Sequence, residues 1–262
     1  MAKVFIEETT LTSIGDAIRA KEGSEGLIPP LEMPARIKAI GGGVNYLDYC
    51  QNFNIWSLNL FGTPKVELTL PLVTSLRLAF FVDENAHDTE GRTNTTVEEL
   101  IVHCTNTITM MYTAFGQNNY YADRTLKKIT MDFETNSNNW SSAFNNLQAL
   151  EVIDGEPINL TPAGDSIFYA FDSCYLLREV RFKGTLSHSM RFPRSRNLSE
   201  DSMNSLMSCC SPDASGKTLT FNKTAVDKAF ETSPGAADGS TSAEWLALVE
   251  AHSNWTVALW ED

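Results

Sequence analysis

The sequence predicts an α/β fold: a solenoid of short repeats, preceded by a short helical segment and closed by an α/β cap. Two recurrences and one contrast predict it. The run "LREVRF" from Leu177 has four relatives: "VTSLRL" from Val73, "VEELIV" from Val97, "LKKITM" from Leu126 and "LEVIDG" from Leu150. An Ala-Phe pair precedes three of the five, as Ala114-Phe115, Ala143-Phe144 and Ala170-Phe171. The two ends, residues 1–43 and 199–262, carry neither pattern and are different in kind.

The runs begin 24, 29, 24 and 27 residues apart. Their first and fourth positions are apolar, and so is the sixth, except for Gly155 in the fourth copy. One short strand per interval, with an irregular or helical return, describes a unit too small to bury its own apolar face. Such units stack into a continuous core. From Phe144 and from Phe171 to the next run is six residues, but from Phe115 it is eleven, so "GQNNYYADRT" holds five extra residues. The second positions read Thr74, Glu98, Lys127, Glu151 and Arg178, alternating in sign from Glu98 on. In a parallel sheet these would be lateral neighbours, each opposite pair worth a few tenths of a kcal/mol. The ladder is read as structural; a ligand-binding stripe would more often carry one sign or several aromatics.

The spacing and the string Ala-Phe-x-x-Cys-x-x-Leu-x-x-Val at 170–180 resemble the BspA-like class of leucine-rich repeats over about residues 60–185. The asparagine ladder of commoner leucine-rich repeats is missing; its positions hold Phe81, Thr105, Glu134 and Ile158. The resemblance implies the irregular BspA-like solenoid, here assigned to residues 44–198.

At the N-terminal end, "TLTSIGDAIRAK" places Leu11, Ile14, Ala17 and Ile18 at helical spacing behind a possible N-cap at Thr10. After the turn "EGSEG", the stretch "PPLEMPARIKAI" puts Met33, Ile37 and Ile40 on one face, and Gly41–Gly43 ends it. Pro34 removes a backbone donor, so this second helix is expected to start near Met33. Two helices in about 40 residues are too small to be stable alone. They need other copies or a larger assembly. The strings L-x-x-I-x-D-A-I-R-x-K-x-G and P-x-x-M-x-x-x-I-x-x-I resemble a segment common near the N-termini of tailed-bacteriophage tail, baseplate and fibre proteins. That resemblance implies an assembly anchor over 1–43.

In residues 199–262, "LSEDSMNSLMS" has Ser199 as N-cap, acids in the first turn and Met203, Leu206 and Met207 on one face. "KTLTF" reads as a strand, "SAEWLALVEAH" as a helix and "WTVAL" as a last strand, with "ETSPGAADGSTS" a loop. The order resembles the cap that closes BspA-like repeats in phage and gut-bacterial proteins. Relatives usually carry Gly before the Trp; here Asn254 is expected to supply the left-handed helix end. A cap is needed because the last repeat would otherwise expose its apolar face and strand edge.

Composition bounds the function classes. No apolar run among the 262 residues approaches 18, so no membrane insertion is expected. Glu7 and Glu8 interrupt the apolar start "MAKVFI", which does not read as a secretory leader, so synthesis in a host cytoplasm is expected. A net charge of −13 argues against nucleic acid, whose binders need clustered Lys and Arg, and against anionic membranes. The five cysteines, Cys50, Cys104, Cys174, Cys209 and Cys210, show no metal spacing and read as buried thiols, the adjacent pair leaving a redox alternative.

No catalytic motif is present, and neither a metal nor a cofactor is expected. The four histidines, His87, His103, His188 and His252, lie far apart and read as surface or satisfied residues. Carboxylates in "DGEP" (154–157) and "DEN" (83–85) could serve glycoside hydrolysis, but a chain with 33 acids brings some together by chance. Trp140 invites a sugar-stacking reading. Its position, three before an Ala-Phe pair where other copies carry Met111 and Ile167, reads instead as core. The insertion is the better receptor-binding candidate: Tyr120 and Tyr121 offer rigid flat faces, and Asn118, Asn119, Asp123 and Arg124 offer hydrogen bonds. An Asn-rich surface turn is the alternative.

These observations and resemblances imply a non-enzymatic virion component of a phage tail, in baseplate or fibre, involved in host-surface recognition. Leu11, Ile14, Ile18, Met33, Ile37 and Ile40 would contact other virion proteins. The solenoid would contact a host-surface glycan or protein. A homo-oligomer is expected, a trimer being one form. The alternatives are a head fibre or capsid-decoration protein and a bacterial surface adhesin with BspA-like repeats.

Overall fold

The computed structural model describes residues 64–70, 73–77, 79–80, 97–116, 125–230 and 242–261, together with Asp16. The chain divides into two units, Met1–Asp48 and Tyr49–Asp262, and the architecture below is that of the second.

Four short strands build the first sheet, in the order β1 (Lys65–Thr69), β2 (Glu99–His103), β3 (Lys128–Asp132) and β4 (Val152–Gly155). All are parallel and in step: Val66, Leu100, Ile129 and Ile153 are lateral partners. Alternation explains why these segments are strands. In β1, Val66 and Leu68 face inward while Lys65, Glu67 and Thr69 are exposed. The run positions fall on the core: Val97, Leu126, Leu150 and Leu177 are buried, as are Leu100, Ile129, Ile153 and Val180. Gly155 stands sixth in its copy because its backbone is left-handed (φ 91°) and a Cβ there would lie 2.2 Å from the Met131 carbonyl oxygen.

The first strand differs from the one expected. "VTSLRL" from Val73 is not the counterpart of "VEELIV"; the register aligns Lys65 with Glu99, 34 residues on. Ser75 instead bridges Met110, on the path that follows the strand. Leu76, Met111, Trp140 and Ile167 are therefore equivalent, and each is fully buried three residues before an Ala-Phe pair. The pair thus has a fourth copy, Ala79-Phe80.

The Ala-Phe pairs form a second ladder. In each copy the Ala N–H donates to the carbonyl three residues earlier, as Ala143 to Trp140 at 3.0 Å. The Phe N–H then donates to the Ala of the next copy: Phe80 to Ala114, Phe115 to Ala143 and Phe144 to Ala170, each at 2.8 Å. The rings stack along this ladder, with centroids 4.8 Å apart for Phe80–Phe115, 5.4 Å for Phe115–Phe144 and 5.0 Å for Phe144–Phe171. Phe192 continues it at 4.8 Å from Phe171, and Phe221 at 6.3 Å from Phe192. The alanine that precedes each stacked Phe of the first four copies is buried in every case.

The alternating charges are lateral neighbours: Lys127 Nζ lies 2.8 Å from Glu98 Oε2, and Arg178 Nε 3.7 Å from Glu151 Oε2. Thr74 is not part of this row; Pro64, whose carbonyl accepts from Glu98 N–H, occupies its place.

Beyond β4 come β5 (Ile158–Asn159), a 3-10 turn (Asp165–Tyr169), β6 (Phe182–Lys183) and β7 (Met190–Phe192). β5 pairs with β6. Helix α1 (Glu200–Met207) starts at Ser199, whose Oγ accepts from Ser202 N–H, and buries Met203, Leu206 and Met207. It is tied to the preceding copy through Ser205 Oγ, which accepts from Phe182 N–H at 2.9 Å. Strand β8 (Lys217–Asn222), α2 (Lys223–Ala229), α3 (Ala243–Ala251) and β9 (Trp255–Trp260) follow. A three-stranded parallel sheet β7-β8-β9 carries the Phe ladder onto strands. Asn254 is not a left-handed residue, since it is not among the positive-φ positions. It works through its side chain: Nδ2 donates to the carbonyls of Ser211, Pro212 and Ala214 at 3.0, 3.1 and 2.7 Å, clamping β9's start to that turn. Glycine could not do this.

Candidate functional site

Left-handed turns flank the pairs Ala143-Phe144 and Ala170-Phe171. Asn146 and Ser173, two residues after Phe144 and Phe171, take left-handed backbones (φ 64° and 62°), as does Ser142 just before Ala143 (φ 55°). The segments around them, 141–148 and 169–175, meet 191–194 and Trp260 in an open groove of about 610 Å³.

The groove is polar with aromatic edges. Tyr169 is 50% exposed and Trp260 46% exposed. Arg191 lies over both Phe168 and Tyr169, its guanidinium carbon 4.4 and 4.8 Å from the two ring centroids. It also makes a two-pronged ion pair with Asp172, Nε to Oδ1 at 2.8 Å and Nη2 to Oδ2. Arg194 sits 5.7 Å from the Tyr175 centroid and donates from Nη1 to Tyr175 Oη (2.9 Å) and Ser173 Oγ (3.2 Å). Gln148 Nε2 donates to Asn146 Oδ1 at 3.1 Å.

The receptor-binding candidates Asn118, Asn119, Tyr120, Tyr121, Asp123 and Arg124 lie outside the described residues. So do the anchor candidates Leu11, Ile14, Ile18, Met33, Ile37 and Ile40. The residue before the insertion is placed, however. A Cβ on Gly116 would lie 1.9 Å from Ser142 O and 3.0 Å from Asn145 N. Trp140 is fully buried, and its Nε1–H donates to Ser137 O at 2.9 Å. It cannot stack on a sugar.

Sequence reasoning missed the groove. "FYAFDSCY" at 168–175 and "MRFPRS" at 190–195 do interleave aromatics and arginines with the Phe ladder, and that was the available signal. What it lacked was the adjacency of Trp260, which only the β7-β8-β9 pairing supplies.

His87, Cys50 and the carboxylates at 83–85 lie outside the described residues; among the described ones, the remaining reactive side chains are engaged or buried. His103 Nδ1 is 2.7 Å from Asp132 Oδ2 and Nε2 is 3.0 Å from Glu67 Oε1; the hydrogen bond with Asp132 does most to raise its pKa. His188 bonds Asp165 at 2.7 Å and His252 bonds Leu248 O at 2.8 Å. Asp154 is held below the usual carboxylate range, first by the Gly155 backbone and then by Lys128, and Glu156 lies 3.3 Å from Lys183. Burial pushes the thiols of Cys104 and Cys210 up to about 12, and those of Cys174 and Cys209 upward as well. Among the described residues no group of three or more His, Cys, Asp or Glu could hold a metal ion, and no helix is long and apolar enough to cross a membrane.

No family model matches the chain, and no curated protein or solved structure is significantly similar to it.

Proposed function

We propose that this chain is a non-enzymatic structural component of a phage tail, in baseplate or fibre, that takes part in host-surface recognition. We further propose that its repeats form a BspA-like leucine-rich-repeat solenoid, with residues 1–43 as the assembly anchor and 199–262 as the cap. The observation that carries the recognition role is the groove of about 610 Å³, edged by exposed aromatics and arginines and built on a rigid stacked core. Binding surfaces combine flat aromatic faces with fixed hydrogen-bonding groups in this manner. The in-step parallel pairing of β1 to β4 supports the solenoid reading. The N-terminal string from Leu11 to Gly23 supports the tail assignment.

The experiment is to grow particles carrying either the full chain or residues 44–262 and to locate the chain by antibody labelling in electron micrographs. Label at the tail, lost on truncation, is the expected result. Label confined to the head, or equal incorporation of both chains, overturns the assignment.

A further inference from the structure

We propose that the groove is a binding site for an acidic oligosaccharide, with Arg194 meeting the ligand's negative charge and Tyr169 and Trp260 offering stacking faces. The inference rests on the host-surface reading above and names the class of ligand.

Charge is the first argument. The groove's charged lining residues are Asp172, Arg191 and Arg194. Arg191 and Asp172 neutralise one another through their paired contacts. Arg194 bonds only neutral oxygens, those of Ser173 and Tyr175, both from Nη1. Among the described residues no carboxylate faces it, and its Nε and Nη2 donors remain for a ligand. A guanidinium presents five N–H donors in a fixed fork suited to a carboxylate or a phosphate. A local positive charge is notable on a chain whose net charge is −13, because the rest of the molecule repels anions.

The second argument is shape and chemistry. Among the described residues, Tyr169 and Trp260 are two of the four large apolar side chains left exposed, and both border the groove. Arg191 packs against Tyr169 and is itself fixed by Asp172, so the ring is held in place. Flat, rigid aromatic faces suit the C–H face of a sugar ring, while Ser141, Ser142 and Asn145 supply hydrogen-bonding groups for hydroxyls.

Backbone strain is the third. Among the described residues, four non-glycine positions have positive φ: Thr113, Ser142, Asn146 and Ser173. Three of them line this groove. Glycine would adopt these conformations without a steric penalty. Thr113 and Ser142 stand at the same place in successive copies, as do Asn146 and Ser173, so these turns belong to the repeat and shape the groove wall.

The test uses the purified full chain. Its probes are 3′-sialyllactose and trigalacturonate, each with its neutral counterpart (lactose and the methyl ester), and a glycerol-phosphate oligomer. Calorimetry at low salt should show at least one acidic probe binding with a Kd below about 1 mM, with neutral counterparts at least about tenfold weaker. Preference between the carboxylated and phosphorylated probes identifies the source of the charge. Arg194→Gln and Trp260→Ala should each weaken binding about tenfold or more with unchanged melting temperature, while Lys65→Gln, away from the groove on β1, should not. Equal binding of neutral and acidic probes, full affinity in Arg194→Gln, or no binding of any acidic probe by the folded chain overturns the proposal. Particle labelling is independent of these results. Failure to bind sugars with label at the tail rejects the groove alone, and sugar binding without label on particles rejects the tail assignment alone.

Discussion

The rings of Phe115 and Phe144 stack with centroids 5.4 Å apart and planes 10° from parallel, although 29 residues separate them in sequence. The spacing between neighbouring chain paths is thus fixed by ring contact as well as by backbone hydrogen bonds. Phe144 touches rings on both sides, Phe115 and Phe171, and Trp140 lies 6.4 Å from it. Removing it leaves a void between two stacked rings.

Phe144→Ala and Trp140→Ala should each destabilise the chain by about 3–5 kcal/mol, the range for large aromatic truncations in cores. Phe144→Leu should cost less, because volume is largely kept. Urea melts followed by fluorescence measure this. A loss below about 1 kcal/mol for Trp140→Ala would contradict its burial.

His103 joins three strands, taking Asp132 of β3 on one ring nitrogen and Glu67 of β1 on the other. Both acids raise its pKa in the folded state, Asp132 most. A raised folded pKa stabilises fully below the unfolded value of about 6.5 and is lost as pH rises through the folded pKa. The wild type should therefore exceed His103→Gln in stability more at pH 5.5 than at pH 8.5. The side chain is about a third exposed (32%), so the difference should stay under about 1 kcal/mol. Melting temperatures of both chains at the two pH values decide it. A gap that widens with pH would reverse the argument.

The repeat was legible where aliphatic residues mark it. Val97, Leu126, Leu150 and Leu177 are all buried anchors. The first copy was misread for a physical reason. In the sequence Thr63 stands two before Lys65, where the other copies carry Val or Leu, so the stretch around "KVELT" shows only two of the three apolar marks. "VTSLRL" from Val73 shows all three, yet Leu76 belongs to the row of Met111 and Trp140. Its Ala79-Phe80 pair, hidden in an unbroken apolar run, would have given the phase. The Ser199 cap and the α1 face were legible because a local pattern dictates them. The groove was not, because Asn145, Tyr175, Arg194 and Trp260 come from four distant stretches that only tertiary pairing brings together.

The thiols should be inert. At pH 8, a thiol with a pKa of about 12 is ionised in about one molecule in ten thousand, and the thiolate is the reactive form. Cys209 and Cys210 also donate to the carbonyls of Ser205 and Leu206. Iodoacetamide labelling mapped by mass spectrometry should leave Cys104, Cys174, Cys209 and Cys210 unmodified in the native chain and modify all four in denaturant. Rapid native labelling of Cys209 or Cys210 would revive a redox role for the pair.

The insertion after Phe115 offers the most direct test of recognition against mere architecture. The six-residue connections after Phe144 and Phe171 show that a copy needs no more chain than that to reach its next anchor. The five extra residues therefore serve no packing need shared by the other copies. A Cβ on Gly116 would meet Ser142 and Asn145, two residues of the groove wall. Tyr120 and Tyr121 are the aromatic candidates in this insertion. Replacing both with Ser should abolish adsorption of particles to host cells while shifting stability by about 0.5 kcal/mol or less, as exposed substitutions do. Adsorption assays and thermal melts of the same variant read the two effects separately. Unchanged adsorption would assign the insertion no part in recognition. A large fall in melting temperature would show the tyrosines packed, and the insertion would then be an assembly contact between subunits instead of a receptor contact.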